Sequence, residues 1–194
     1  MNSVKAKYVS IALAASFLVA WAAPAMAAPP SGNINLLVGN RRMVDSGWKT
    51  NGTVEGYTLG IDFDFAKDDW PVALNVGLLG FRDSASKVTM NTNLNVTEVA
   101  VGARMYFGGR DFVRPYAGAG LEIMDVSMNV EQGPGSTDSK DRTTGYYLNA
   151  GAVLNFFGVL NVGLDARWIG GTKPGKDISS LDSYQASFVI GMSL

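Results

Sequence analysis

The chain has no cysteine and no histidine. Without cysteine, no disulfide can staple the fold. Without histidine there is no imidazole to serve as a base near neutral pH, to relay a proton for a serine, or to ligate a metal. Charge is scarce as well: Asp, Glu, Lys and Arg make up 17% of the residues, against roughly a quarter in soluble proteins. The signs nearly balance, with 16 Lys+Arg against 17 Asp+Glu, and no basic block suggests nucleic acid. Beyond residue 27 no stretch approaches the ~18 consecutive apolar residues of a spanning helix. Glycine, by contrast, is abundant, at 23 residues.

The one long apolar run covers residues 8–22. It follows Lys5 and Lys7, is broken by Pro24, and leads to Ala25-Met26-Ala27, which has the A-x-A form of a cleavage site. The run is short and wrongly flanked for a spanning helix. Residues 1–27 are therefore expected to be a secretory signal peptide rather than an uncleaved anchor, and residues 28–194 a single domain.

What fills that domain is alternation. In residues 184–194 the apolar positions Tyr184, Ala186, Phe188, Ile190, Met192 and Leu194 fall on every second place, the period of a strand with two different faces. The same period recurs in seven earlier segments. It is clearest at residues 53–65, where Tyr57, Leu59, Ile61, Phe63 and Phe65 alternate with Gly56, Thr58, Gly60, Asp62 and Asp64. The connections alternate in length. Those at 66–69, 108–111 and 157–158 are short, while those at 82–93, 131–142 and 170–182 are longer and polar. Short turns on one side and long loops on the other are the pattern of an outer-membrane barrel. The expected fold is all-β: an eight-stranded antiparallel up-and-down transmembrane β-barrel with both termini periplasmic. The closing strand is expected to pair with residues 34–38.

Alternation alone does not say which face is outside. The less apolar face is crowded with glycine and other small residues, which suit the narrow interior of an eight-stranded barrel and not a solvated surface. The aromatics also sort by height. Phe63, Phe65, Trp70, Tyr106, Phe107, Phe112, Tyr116, Phe156 and Phe157 fall toward the short turns. Trp48, Tyr57, Phe81, Tyr146, Tyr147, Trp168 and Tyr184 fall toward the long loops, and Phe188 lies mid-strand. Two belts flanking an aliphatic band are what the two lipid interfaces select.

The segment Arg114-Pro115-Tyr116-Ala117-Gly118-Ala119-Gly120 is similar to the R-P-Y-x-G-x-G that opens a mid-barrel strand in small OmpA/OmpX/OmpW-type outer-membrane β-barrels, and as a pattern the resemblance covers residues 28–194. The chain departs from that family in ending on Leu194 rather than Phe, and in carrying Gly191 where the terminal signal would have glycine at position 189. The resemblance implies residence in the outer membrane of a Gram-negative bacterium, insertion by the barrel-assembly machinery, and lipid and lipopolysaccharide as neighbours. It also implies a monomer with a structural or interaction role, or alternatively a narrow OmpW-like channel for small or apolar solutes. Outer-membrane barrels that act on lipid A rely on a histidine with a serine, so a chain without histidine is expected not to be an enzyme.

Several charged residues fall on the inward face: Glu98, Arg104, Glu122, Asp165 and Arg167, with Arg41 and Asp62 joining them. Charges in so narrow a space are expected to pair into a polar network that fills the lumen, with a gate for a small solute as the functional alternative. Asp62-x-Asp64 reads as an exposed strand end near Lys67, or else as a divalent-cation site. Lys49, Arg82, Lys87, Lys140 and Arg142 are candidate contacts for lipopolysaccharide phosphates, although Asp45, Asp83, Asp138 and Asp141 interleave with them as on an ordinary solvated rim. Gly118-x-Gly120 lacks the third glycine and the helix of a nucleotide loop, and no metal or cofactor is expected.

Overall fold

The computed structural model describes residues 31–45, 47–48, 55–66, 70–87, 90–107, 113–132, 135–175 and 178–194. The expected signal peptide, Lys49, Lys67, Phe112 and the turn at 108–111 lie outside them. Eight strands form one closed barrel in sequence order: β1 (Ser31–Met43), β2 (Glu55–Ala66), β3 (Ala73–Lys87), β4 (Met90–Tyr106), β5 (Val113–Gln132), β6 (Gly135–Phe156), β7 (Leu160–Gly170) and β8 (Ser183–Ser193). Every neighbouring pair is antiparallel.

The seam between first and last strands pairs Ile34 with Met192, Leu36 with Ile190 and Val38 with Phe188. The Ser193 amide donates to the Val159 carbonyl at 2.7 Å, and the Leu194 amide to the Gly32 carbonyl at 2.9 Å. The end of β8 is thus bonded on both sides, and the barrel has no open edge there. Between β6 and β7, Phe157 and Gly158 have φ of 57° and 73°. Two left-handed central residues make the tight turn that matches strand twist.

Alternation puts one face of each strand against the lumen. Leu59, Leu121, Leu148, Leu164, Phe188 and Ile190 are exposed on the outer wall, while Asn35, Asp62, Arg104, Asp165 and Arg167 are buried inside. The inward glycines make room for rings. A Cβ on Gly120 would lie 2.6 Å from the Tyr147 ring, and one on Gly151 would lie 2.5 Å from the Tyr116 ring.

The strands are unequal: β4, β5 and β6 have 17, 20 and 22 residues, whereas β7 and β8 have 11 each. The stretches 82–93 and 131–142, expected as loops, are mostly strand. β3 runs to Lys87 and pairs with Met90, and β5 and β6 pair up to Gln132 and Gly135. Together they build a ledge that rises above one side of the barrel. On the ledge the alternation keeps its phase but reverses its polarity. Lower on β4, Val99 and Val101 face out. Higher up, Leu94 and Val96 face in and are buried, while Asn95 is exposed. β5 changes in the same way, from outward Leu121 and Ile123 to inward Met124 and Val126 with exposed Asp125. Below the change the outer solvent is lipid, and above it is water, so the apolar residues move to the dry side in each case.

The aromatic belts need a matching correction. Trp48, Phe81, Tyr116 and Tyr147 are buried inside, and the Tyr106 hydroxyl reaches inward to Asp64. The outward belts include Phe63, Phe65, Trp70, Phe107 and Phe157 at the turn end, and Tyr57, Tyr146, Trp168 and Tyr184 at the ledge end.

Candidate functional site

The lumen is filled in two storeys. At the turn end, amides close the floor. Asn161 Nδ2 donates to Asn33 Oδ1 at 3.0 Å and to Ser193 Oγ at 3.1 Å, and Asn155 Nδ2 donates to Asn161 Oδ1 at 2.8 Å. Above them Arg104 lies between two carboxylates from β2. Its Nη2 donates to Asp62 at 2.7 Å and its Nη1 to Asp64 at 2.9 Å, with the guanidinium 4.6 Å from the Tyr116 ring centre. Each carboxylate has further donors. Asn35 reaches Asp62 at 2.9 Å, while Asn75 and the Tyr106 hydroxyl reach Asp64 at 2.9 and 2.5 Å. Asp165 accepts from Tyr116 Oη and Asn149 Nδ2, both at 2.8 Å. Asp62-x-Asp64 is therefore no exposed strand end: both side chains are buried, because β2 turns its even-numbered residues inward. Among the described residues no group of three or more acidic side chains could hold a metal ion.

Toward the ledge, Arg41 makes a two-pronged pair with Glu98, one prong at 2.7 Å. It also donates to Gln185 Oε1 at 2.8 Å. Arg167 does not join a direct pair; its guanidinium lies 4.5 Å from the Tyr147 ring centre. Neither the Arg167 guanidinium nor the Glu122 carboxylate has a hydrogen-bond partner among the described residues. The seven inward charges, Arg41, Asp62, Glu98, Arg104, Glu122, Asp165 and Arg167, are thus all buried in the lumen. They divide into one tightly bonded group and one looser group.

The upper storey is apolar. Leu79, Phe81, Leu94, Val96, Met124, Val126 and Ile169 form a continuous core with Trp48, Ile178 and Leu181 from the connections above. Trp48 Nε1 donates to the Ser180 carbonyl at 2.6 Å, and the Val44 amide to the Asp182 carbonyl at 2.8 Å, tying the two connections together as a lid. Thr172 donates to Asp182 through its hydroxyl at 2.6 Å and its amide at 3.0 Å. Partial burial raises the pKa of Asp182, but the hydrogen bonds from Thr172 and Ser180 outweigh it and leave the carboxyl below its usual range.

The candidate phosphate-binding cations do not converge. Lys140 and Arg142 are exposed on the outer face of β6, whereas Arg82 is on β3, separated from them by β4 and β5. Arg142 is held by Asp125 at 2.6 Å, a bond that lowers the Asp125 pKa. Lys49 lies outside the described residues, and only the backbone of Lys87 is described. The residues missed in the sequence were the partners: Asn35, Asn75, Tyr106, Tyr116, Asn149 and Gln185. Their signal was the inward phase itself, since a polar side chain on that face must bond to something buried.

A family model described as outer membrane protein beta-barrel domain matches residues 11–191. Among solved structures, Ail, the attachment invasion locus protein of Yersinia pestis, is similar at 11% identity and a TM-score of 0.57, over 84% of this chain and 97% of that one. Neisserial surface protein A is similar at 15% identity and a TM-score of 0.56, over 84% and 96%. The N-terminal β-barrel domain of Pseudomonas aeruginosa OprF is similar at 14% identity and a TM-score of 0.50, over 85% and 99%. No curated protein sequence matches the chain. At these identities the structural likeness speaks for the fold alone.

Proposed function

The chain belongs to the outer membrane protein beta-barrel domain family, and from that premise we propose a non-enzymatic structural and interaction protein of a Gram-negative outer membrane, which presents the β3–β6 ledge outside the cell. The observation that carries this reading is the ledge. It has an apolar inner face and a polar outer face, and it extends beyond the described ladders to its neighbours, which end at Arg82 on β3 and Tyr146 on β6. Among the described residues no strand pairs with β3 at 83–87 on the β2 side, or with β6 at 135–140 on the β7 side. Free strand borders are templates for another strand. In this reading both termini are periplasmic, the barrel-assembly machinery inserts the chain as a monomer, and no cofactor is needed.

Two experiments test it. Ser136→Cys on intact cells should react with a membrane-impermeant maleimide; protection until lysis would reverse the orientation. Ser136→Pro and Asp138→Pro, at positions whose amides point away from β5 toward that border and which therefore block strand addition there, should weaken attachment of expressing cells to a host-cell layer without changing heat-shifted gel mobility. Equal attachment would remove the ledge as the contact surface. The competing reading is the narrow channel, with the buried charges as its gate. It predicts solute flux through reconstituted vesicles that rises on Arg104→Ala, whereas the filled lumen predicts no flux in the wild type.

A further inference from the structure

A trough of about 590 Å³ crosses the outer wall from β1 to β6. Its floor is a row of cross-strand neighbours: Asn40 beside Ala186, Ala186 beside Ala166, and Ala166 beside Ala150. Arg42, Tyr184, Trp168 and Leu148, the next outward residues on the same strands, form its upper bank. The row is not level with the membrane. At one end Asn40 pairs with Tyr57 of the upper belt. At the other, Ala150 lies four residues below Tyr146 on β6. The trough therefore descends from the interface into the apolar band, over three strand spacings or about 14 Å.

Two polar residues mark its upper end. Arg42 is exposed on the lipid-facing side of β1, at the height where headgroups begin. Asn40 lies on the same face about 7 Å deeper. Its side chain is exposed on the wall and makes no hydrogen bond among the described residues. An amide facing lipid without a partner is costly, so its presence points to a polar partner from outside the chain. From the surface inward the order is cation, amide, alanine trough. An anionic lipid presents phosphate, ester or amide linkage and acyl chain in that same order.

We propose that this trough seats one acyl chain of a phosphorylated outer-leaflet lipid of the lipopolysaccharide class, with its phosphate on Arg42 and its linkage carbonyl on Asn40. The proposal rests on the orientation given above, which puts this end in the outer leaflet. Glu55, paired with Arg42 in the register, adds a competing negative charge at the rim. A second copy of the barrel is a poorer occupant, because an apolar wall would leave Asn40 without a partner.

The test is native mass spectrometry of the full chain, folded in detergent and titrated with purified lipid A or with phosphatidylcholine. Each variant is first shown to shift in gel mobility on boiling, so a failed barrel is told apart from a failed site. Reversed orientation is detected separately, by the maleimide labelling. One lipid A should bind per barrel. Ala166→Leu, which fills the trough, and Arg42→Gln, which removes the phosphate contact, should each weaken binding roughly tenfold, and Glu55→Gln should tighten it. Unchanged binding in the first two variants overturns the proposal. So does equal binding of phosphatidylcholine, or a dimer that Ala166→Leu abolishes.

Discussion

The two storeys of the lumen are built on one alternation and filled in opposite ways. Where the wall faces lipid, the interior holds Arg104 with Asp62 and Asp64, and the outer wall is aliphatic. Where the ledge faces water, the interior holds Leu94, Met124 and Val126, and the outer face carries Asp125 and Arg142. The lower storey is stabilised by the pairing of buried charges around Arg104, the upper by removal of apolar surface from water. Inside-out and ordinary packing meet within single strands, so solvent, not strand chemistry, decides which residues turn in.

Breaking the lower storey should have the larger effect. Arg104→Ala leaves two buried carboxylates without their cation and should cost about 3–5 kcal/mol, read as a lower urea midpoint for the folded barrel in lipid vesicles. Restoring neutrality with Asp62→Asn and Asp64→Asn in the Arg104→Ala background should recover much of it. An unchanged midpoint for Arg104→Ala would mean that the bonded charges do not hold the barrel. In the upper storey Met124→Ala should cost about 2–4 kcal/mol through the cavity it leaves, with no gain from any charge-neutralising second change.

Acid should act on the lid above the apolar storey. Asp182 has a folded-state pKa below its unfolded value. Its contribution is therefore complete above the unfolded value, roughly pH 4, and is lost as pH falls through the folded one. Hydrogen exchange at the Thr172 and Leu181 amides should accelerate below about pH 4, modestly because the carboxyl is partly solvated; equal protection at neutral and acid pH would count against it. The smallest effect belongs to Arg142→Gln. The Arg142–Asp125 pair is as short as the Arg104 pairs but exposed, and water screens it. No measurable change in the midpoint is expected, and a loss as large as that of Arg104→Ala would erase the contrast between buried and exposed charge.

Much of this was legible in the residues. The period of two is local, so Tyr57 to Phe65 could be given a lipid face and Asp62 a lumen face from the sequence, and the pairing of residues 34–38 with the last strand followed from closure. The ledge was not legible. Residues 135–142 are polar on both faces, and most of them are exposed on the strand, so they carry no contrast for a period to show. The aromatic belts misled for a related reason. Height was read correctly, but Tyr116 and Tyr147 have the inward phase, and the glycines beside them make that space.

By itself the sequence determined strand phase, the narrow glycine-lined interior and the residues that must lie in it, because backbone geometry fixes which side chains share a face. Only the tertiary structure decided which of those residues meet. The partners of Arg104 come from β2, 40 and 42 positions away along the chain, while Arg167 rests on a tyrosine ring instead of a carboxylate. Strand stagger and tilt set those distances across the lumen, and they belong to the closed barrel as a whole rather than to any one strand.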